Sequence, residues 1–424
     1  MHADDARRIC DAVDAAFDAQ LELTAELVRH PSLRTREGSA QDLLYAEMER
    51  RGFAMDRWEL DAAQLSEHVG YGPSTVSYEG VTNVVGTYRP TEHTGRSLIL
   101  NGHVDVVPEG PEEAWSRSPW DAPVIDGWLH GRGSGDMKAG LVANLFAFDA
   151  VRAAGLSPAA PIHFQSVVEE ECTGNGSLSA LMRGYTADAV VIPEPEEDML
   201  VRANTGVIWF TVRVAGVPTH PREMSSGFNA IDAAHHVMGE LRRVEERWNA
   251  ERGSHRHFED LDHPINFNLG TIRGGDWPSS VPAWCEIEVR AALYPGVTAD
   301  QAWEELTGAL ESVTSDAQGH PISAVATRTG FYAEGYVLEE GSEAEAVLAR
   351  SHERVFGSEL RSFTTPGYLD GRVFTLYGDI PTLVYGPVSE AIHGFDERVE
   401  VESVRRITKS IALFIADWCG TAQA

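Results

Sequence analysis

The chain of 424 residues has few cysteines, no long apolar run and a shortage of positive charge. Its four cysteines are Cys10, Cys172, Cys285 and Cys419, and no two of them form a CxxC pair. This scarcity argues against a disulfide-stabilised scaffold and against a cysteine zinc site, so a reduced, cytoplasmic protein is expected. No stretch reaches the length of a transmembrane helix, and the polar N-terminus lacks the apolar core of a signal peptide.

Lysine and arginine total 34, against 65 aspartates and glutamates, which gives a net charge of -31. Such an acidic surface repels phosphate backbones and anionic lipids, so neither nucleic acid nor a membrane is expected as a partner. A small substrate is still compatible, because a cavity can be locally positive. The hydrophobic fraction of 43% and the 10 tryptophans indicate a folded chain, long enough for two or three domains.

The segment between residues 98 and 140 carries the first candidate site residues. A short apolar strand at its start is followed directly by His103 and Asp105. Alternation along an extended segment would place both side chains on one side. Asp105 could then accept a hydrogen bond from one ring nitrogen of His103 while the other nitrogen binds a metal. The glycine-rich turn GRGSGD then delivers Asp136, although H-x-D and G-x-G patterns are each weak signals alone.

Further carboxylates follow two more apolar strands predicted along the chain. APIHFQSVV runs directly into Glu169, Glu170 and Glu171, three acids that are costly to hold together without cations. A later strand is followed by Glu194 between two prolines, and His393 follows a predicted strand near the C-terminus. In an α/β sheet, ligand sites form at the carboxyl ends of the strands. Two imidazoles and several carboxylates there suit two divalent ions of the zinc type, with a position left open for water.

The order of predicted elements changes near residue 204 and changes back near residue 330. Between these points the order is strand, helix, strand, strand, helix, strand, which is typical of ferredoxin-like domains. The flanking parts alternate helices and strands in an α/β pattern. We therefore predict an α/β catalytic domain with a central mixed sheet flanked by helices. It would comprise residues 1–203 and 331–424 and would be interrupted by a ferredoxin-like domain of residues 204–330.

The motifs GHVDVVP, GRGSGDMKAG, EEE, PEP and GPVSEAIHGFDERV occur in this order and span most of the chain. In this combination the sequence resembles the co-catalytic zinc amidohydrolases and metallopeptidases. That family includes acetylornithine deacetylase, succinyl-diaminopimelate desuccinylase, aminoacylase and glutamate carboxypeptidase. The resemblance implies a zinc-peptidase-like catalytic domain with an inserted lid and dimerisation domain, and therefore a homodimer. It also implies two Zn²⁺ per subunit, replaceable by Co²⁺ or Mn²⁺, and a small-molecule substrate with a free carboxylate.

The resemblance assigns the metal ligands by motif position. One zinc ion would be held by His103 and Glu194, and the other by Glu171 and His393. Asp136 would bridge the two ions, and the peptide bond that follows it is expected to be cis.

Four further residues match motif positions with roles outside the ligand set. Glu170 matches the general base, and Asp105 matches the acid that orients His103. His220, in GVPTHPREMSSGFNAI, matches a histidine that crosses the dimer to the partner's active site. Arg290 matches an arginine that binds the substrate carboxylate, and an ion pair on the face of its strand is the alternative interpretation.

The implied activity is metal-dependent hydrolysis of the amide bond of an N-acyl amino acid. Two alternatives stay open from the sequence: a dipeptidase or carboxypeptidase of the same family, and a catalytically silent metal-binding scaffold. Glu170 argues against the silent scaffold, because a purely structural metal site needs no base. The segments 279–282 and 368–372 depart from the family's motifs near expected substrate contacts, so they leave the acyl group and the preferred side chain open.

Overall fold

Helices and strands alternate along the computed structural model, which describes residues 1–315 and 319–423. None of the helices in these ranges combines the length and apolarity needed to cross a bilayer. The α-helices are α1 (Ala3–Val28), α2 (Gly38–Arg50), α3 (Ala62–Leu65), α4 (Ala139–Ala153), α5 (Asn175–Met182), α6 (Ala230–Ala250), α7 (Ala299–Ser312), α8 (Glu343–Phe356) and α9 (Val401–Trp418).

The strands are short in the parts of the chain that flank the second sheet and long within it. They are β1 (Ala54–Glu59), β2 (Thr82–Tyr88), β3 (Leu98–His103), β4 (Val124–Ile125), β5 (Trp128–His130), β6 (Leu156–Pro158), β7 (Ile162–Val167), β8 (Val190–Ile192), β9 (Leu200–Asn204), β10 (Gly206–Ala215), β11 (Phe267–Gly274), β12 (Trp284–Leu293), β13 (Ser323–Ala333), β14 (Ser362–Thr365), β15 (Thr382–Val384), β16 (Ser389–Glu390), β17 (Arg398–Glu400) and β18 (Thr421–Gln423).

The largest sheet has six strands in the order β1-β2-β7-β3-β8-β15. β1, β2 and β7 pair antiparallel, whereas β7, β3, β8 and β15 run parallel. Every residue of β3 is buried, and a strand covered on both faces is expected to be apolar along its length. The sheet is mixed and flanked by helices, which confirms the predicted α/β fold with a central mixed sheet.

Three neighbouring parallel strands bring polar residues to the same edge of this sheet. β3 ends at His103, β7 ends shortly before Glu170, and β8 ends shortly before Glu194. Because the order is β7-β3-β8, the residues that follow these strands lie side by side. The fold therefore gathers the acidic residues that the sequence separates.

A second sheet has the order β11-β12-β10-β13, with all its pairs antiparallel. We call residues 206–333, from β10 to β13, the second-sheet unit. Its elements follow the order strand, helix, strand, strand, helix, strand. α6 and α7 pack on the sheet and bury Phe210, Leu241, Ile287 and Leu306 in an apolar cluster separate from that of the large sheet.

The chain enters and leaves the second-sheet unit through two glycines that lie against each other's strand. A Cβ on Gly206 would lie 2.3 Å from the carbonyl oxygen of Ala333. A Cβ on Gly335 would lie 2.3 Å from the carbonyl oxygen of Asn204. Since real Cβ atoms do not approach a backbone oxygen so closely, only glycine at both positions allows the two connecting segments to pack against each other.

The segment from residue 61 to residue 80 is held to the rest of the molecule at a few buried points. Leu65 and Tyr78 are buried, with exposed fractions of 2% and 5%. The Asn175 side chain accepts a hydrogen bond from the backbone N–H of Gly72 at 3.0 Å and donates one to its carbonyl oxygen at 2.7 Å. These contacts fix a segment whose other residues are mostly exposed or half-buried against α5.

Candidate metal centre

Asp136 follows a glycine-rich loop whose path depends on Gly133. Gly133 has a φ of 78°, and a Cβ there would lie 2.5 Å from Cγ1 of Val106. Both the left-handed backbone and the close approach require glycine. The peptide bond between Asp136 and Met137 is cis, as the resemblance implied.

The carboxylate of Asp136 lies between two imidazoles. One of its oxygens is 3.0 Å from Nε2 of His103, and the other is 3.3 Å from Nε2 of His393. A second carboxylate stands beside each ring: Glu194 Oε1 is 3.6 Å from His103 Nε2, and Glu171 Oε2 is 3.1 Å from His393 Nε2. The five side chains form two adjacent donor sets that share Asp136.

The donor atoms present fit divalent cations. Ligand atoms of His103, Asp136 and Glu171 all lie within 4.8 Å of one another. Glu194 Oε1 is buried and has no hydrogen-bond partner among the residues that the structure describes. An orphaned carboxylate oxygen of this kind is costly unless a cation takes it.

The acids and imidazoles of this centre shift one another's pKa values. Burial alone would raise the pKa of Asp136, but hydrogen bonds from His103 and His393 hold that pKa well below its usual range. Glu171 raises the pKa of His393 to about 11. Burial raises the pKa of Glu194 to about 7, although His103 opposes the shift. The site is therefore organised around positive charge at two positions.

Glu170 faces the same centre and makes no direct contact with His393. Its Oε2 lies 3.9 Å from His103 Nε2, and the residue is only 6% exposed. Burial raises the pKa of Glu170 well above its usual value; His103 opposes the shift, and the Asp370 carboxylate adds to it. A carboxylate that accepts protons readily is suited to general-base chemistry.

The Asp105 carboxylate does not take the hydrogen bond predicted for it. Nδ1 of His103 lies 2.9 Å from the backbone oxygen of Asp105 and 3.6 Å from its Oδ1. The reason is that β3 ends at His103, so the alternation of an extended strand does not continue to Asp105. Its Oδ2 instead accepts the backbone N–H of Glu171 at 3.2 Å, which ties the two ligand segments together.

Glu169 turns away from its two acidic neighbours and is neutralised by the protein itself. Arg34 donates two hydrogen bonds to its carboxylate, one of them from Nη2 at 2.8 Å. The hydroxyls of Tyr78 and Thr173 donate to the same carboxylate at 2.8 and 2.9 Å. Glu169 has a φ of 65°, a left-handed conformation that non-glycine residues adopt at a cost of about 1–3 kcal/mol. The turn separates Glu169 from the pair that faces the site.

A buried ion pair anchors the loop that carries Asp136. Nη1 of Arg132 lies 2.6 Å from Oε2 of Glu397, and the two residues are 2% and 1% exposed. Glu397 also accepts the backbone N–H groups of Gly133, Gly135 and Asp136 at 3.0, 3.0 and 3.1 Å. Arg132 donates to the carbonyl oxygen of Gly394 at 2.8 Å, beside His393. The pair thus fixes the Asp136 loop and the His393 loop to each other.

A cavity of about 940 Å³ opens onto this centre and is bounded by both sheets. Arg290 on β12 lines it and has no ion pair among the residues described, which contradicts the alternative of a strand-face ion pair. One wall of the cavity is aromatic: the ring centroids of Trp209 and Phe331 are 5.1 Å apart, and those of Phe331 and Tyr368 are 4.2 Å apart. His220 is exposed and does not line the cavity; its ring accepts the backbone N–H of Arg222 at 3.2 Å.

The model of peptidase family M20/M25/M40 matches residues 99–417. The chain belongs to peptidase family M20/M25/M40. This membership confirms the resemblance found in the sequence and the predicted class, a hydrolase of the metallopeptidase and amidohydrolase type. It also removes the silent scaffold from the alternatives.

Known M20 relatives match the chain over nearly its full length. The chain is 27% identical to the N-formyl-4-amino-5-aminomethyl-2-methylpyrimidine deformylase of Halalkalibacterium halodurans, over 97% of each chain. It is 25% identical to the succinyl-diaminopimelate desuccinylase of Dechloromonas aromatica, over 92% of this chain and 96% of the relative. The solved structure of the di-peptidase Dug1p from Saccharomyces cerevisiae superposes with a TM-score of 0.80 at 13% identity, over 99% of both chains, which shows a shared fold.

Several side chains near the candidate metal centre were not selected from the sequence. Arg34 and Asp370 come from distant segments, and no local pattern marks them as neighbours of Glu170. Glu397 stands within the quoted motif GFDERV, and Glu196 directly follows the PEP motif, so both were visible without a reason to select them. Burial raises the pKa of Glu196 well above its usual value, and the Glu194 carboxylate adds to this shift.

We predict that Glu397→Gln weakens metal binding by about 10- to 100-fold, the loss typical when a partner that orients a ligand is removed. The amide cannot accept from Arg132 and three backbone N–H groups as a carboxylate does. Metal affinity measured by chelator competition tests this expectation. Glu402→Gln, a change at an exposed site on α9, serves as the control and should bind metal normally. Equal affinities in the two variants would show that Glu397 does not position Asp136.

Proposed function

We propose that the chain hydrolyses the amide bond of an N-acyl amino acid, with Glu170 as general base and two divalent ions held around Asp136. The observation that carries the proposal is the position of Asp136, with its two oxygens 3.0 and 3.3 Å from two different imidazoles. His103 and Glu194 would hold one ion, and Glu171 and His393 the other. Zinc is the expected ion, with Co²⁺ or Mn²⁺ as substitutes, since imidazole and carboxylate ligands suit all three.

When bound, the ions would polarise the amide carbonyl and make water a stronger nucleophile. The residues of the chain then move the proton. Glu170 takes a proton from the attacking water and returns it to the nitrogen of the leaving amine, so one carboxylate serves both steps. The burial of Glu170 supports this role, because a desolvated carboxylate holds its proton strongly enough to deliver it.

Two observations support the substrate class: the names of the relatives, and the position of the Arg290 side chain in the cavity. The names of the M20 relatives include a deformylase and a desuccinylase, both of which remove an acyl group from nitrogen. Arg290 lines the cavity from the second-sheet unit without an ion pair among the described residues. An unpaired guanidinium there can form two parallel hydrogen bonds with a substrate carboxylate.

We assign the predicted domain of residues 204–330, which comprises most of the second-sheet unit, as the lid and dimerisation domain. The chain would then consist of a catalytic domain, residues 1–203 and 331–424, interrupted by this lid. Large apolar side chains are exposed on the second-sheet unit, which also carries His220, and exposed apolar patches often mark contact surfaces. They are Val217, Met224, Ile272, Trp277 and Val325, with exposed fractions of 52%, 56%, 51%, 68% and 61%. A homodimer through this surface would carry His220 towards the partner's cavity.

Glu170→Ala should retain two metal ions per chain and lose most of its turnover. General-base catalysis is worth about 10²–10⁴-fold, and Glu170 lies outside both donor sets. Elemental analysis after metal loading, combined with assays on N-acetyl amino acids and on dipeptides, measures both properties. Near wild-type turnover in the loaded variant would exclude Glu170 as the base, and one ion at saturation in the wild type would exclude the dinuclear site.

His220→Ala should also be nearly inactive, because loss of one group that stabilises the oxyanion costs about 10²–10³-fold in turnover. In a two-fold dimer each subunit would complete the other's site. Mixing His220→Ala with Glu170→Ala under subunit exchange should therefore restore activity, since each mixed dimer has one site with both groups intact. Mass spectrometry verifies the exchange. If mixed dimers form and stay inactive, His220 does not act across the interface.

A further inference from the structure

Glu196 is a buried residue in the lining of the cavity. It follows β8 and Pro195, is 9% exposed, and lines the cavity together with Glu170 and Glu194. Among the residues that the structure describes, its side chain forms neither a hydrogen bond nor an ion pair. Its neighbour Glu197, by contrast, is exposed to solvent.

No cationic side chain among the described residues is paired with Glu196. Its neighbours along the chain, Glu194 and Glu197, are acidic. Arg34 lines the same cavity, but its guanidinium is bound to Glu169. A buried carboxylate without a bonded partner is suited to bind a cation that enters the cavity.

Glu196 is also not needed to complete the metal centre. The group of ligand atoms that lie within 4.8 Å of one another consists of His103, Asp136 and Glu171, and Glu194 stands beside the same imidazole. Each donor set already has one histidine, one carboxylate of its own and a share of Asp136. The free oxygens of Glu196 are therefore available to a group that enters the cavity.

We propose that Glu196 recognises a positively charged nitrogen of the substrate, an ammonium or amidinium group a few bonds from the amide that is cleaved. This inference rests on the proposed amide hydrolysis and narrows its substrate class. Glu196 lines the same cavity as Asp136 and Glu194, which places the cation near the reacting amide, and Arg290 lines it from the second sheet, where it can bind a carboxylate. A cation of this kind has two sources: the free α-ammonium of a peptide, on the acyl side, or a basic side chain, on the amine side.

Matched substrates distinguish the two sources. On the amine side, N-acetyl-2,4-diaminobutyrate is compared with N-acetylnorvaline, in which a methyl group replaces the ammonium. On the acyl side, alanyl-leucine is compared with isobutyryl-leucine. The wild-type enzyme should prefer the cationic member of at least one pair by about 10- to 100-fold in kcat/KM, the range expected for a hydrogen bond to a charged group.

Glu196→Gln should remove this preference by raising KM for the cationic substrate. Its activity on the neutral member should stay within about twofold of wild type, and its metal content should be unchanged. Glu197→Gln is the matched control, because it makes the same change at an exposed neighbour and should keep the preference. Loss of metal in Glu196→Gln would make Glu196 a metal ligand and would overturn the inference.

Binding of the amines themselves separates this inference from the proposed function. Calorimetric titration of the metal-loaded enzyme with 2,4-diaminobutyrate and with norvaline requires no turnover. Tighter binding of the diamine by wild type and Glu197→Gln, and not by Glu196→Gln, supports an amine-side cation. Peptide binding by Glu170→Ala tests the acyl side in the same way.

If none of these amide pairs is hydrolysed while the cation preference in binding persists, the proposed hydrolysis fails and the recognition by Glu196 stands. If neither pair shows a preference in binding or in turnover, Glu196 recognises no cation.

Discussion

The repulsion between carboxylates gathered at one edge of the large sheet is the constraint on which the rest of the structure depends. Two parallel strands, β7 and β8, bring Glu170, Glu171 and Glu194 to this edge, and the loop after β5 adds Asp136. The fold meets the constraint in two ways. It pairs some acids with its own arginines, the half-buried Arg34 and the buried Arg132, and it leaves the others facing imidazoles where cations fit. Acids neutralised by arginine shape the loops, and the remaining acids are free for chemistry.

The sequence predicted the parts of the molecule that depend on local pattern. The start of β3 was recognisable because Leu98, Ile99 and Leu100 form a short apolar run. His103 and Glu194 could be selected because each directly follows an apolar strand. Their roles as ligands came from the resemblance, and the structure adds that their side chains converge.

The sequence could not predict contacts that join distant segments. Asp105 was expected to accept a hydrogen bond from the imidazole of His103 through its side chain. Because β3 ends at His103, the backbone oxygen of Asp105 lies beside the ring nitrogen instead. The polar composition of residues 61–80 likewise does not reveal that Asn175 binds the backbone of Gly72. Arg34 and Glu397 act through hydrogen bonds that span more than a hundred residues, and no periodicity encodes such a distance.

The distribution of the donor groups has a consequence for the synthesis of the protein. His103 comes from the first quarter of the chain, whereas His393 and Glu397 come from its last tenth, after the second-sheet unit. A growing chain folds from its N-terminus as it leaves the ribosome, and it can form β3 and α4 long before it contains the second histidine. The imidazoles of His103 and His393 therefore cannot meet across Asp136 until the second-sheet unit has been synthesised. The centre is completed late, after most of the fold that supports it has been made.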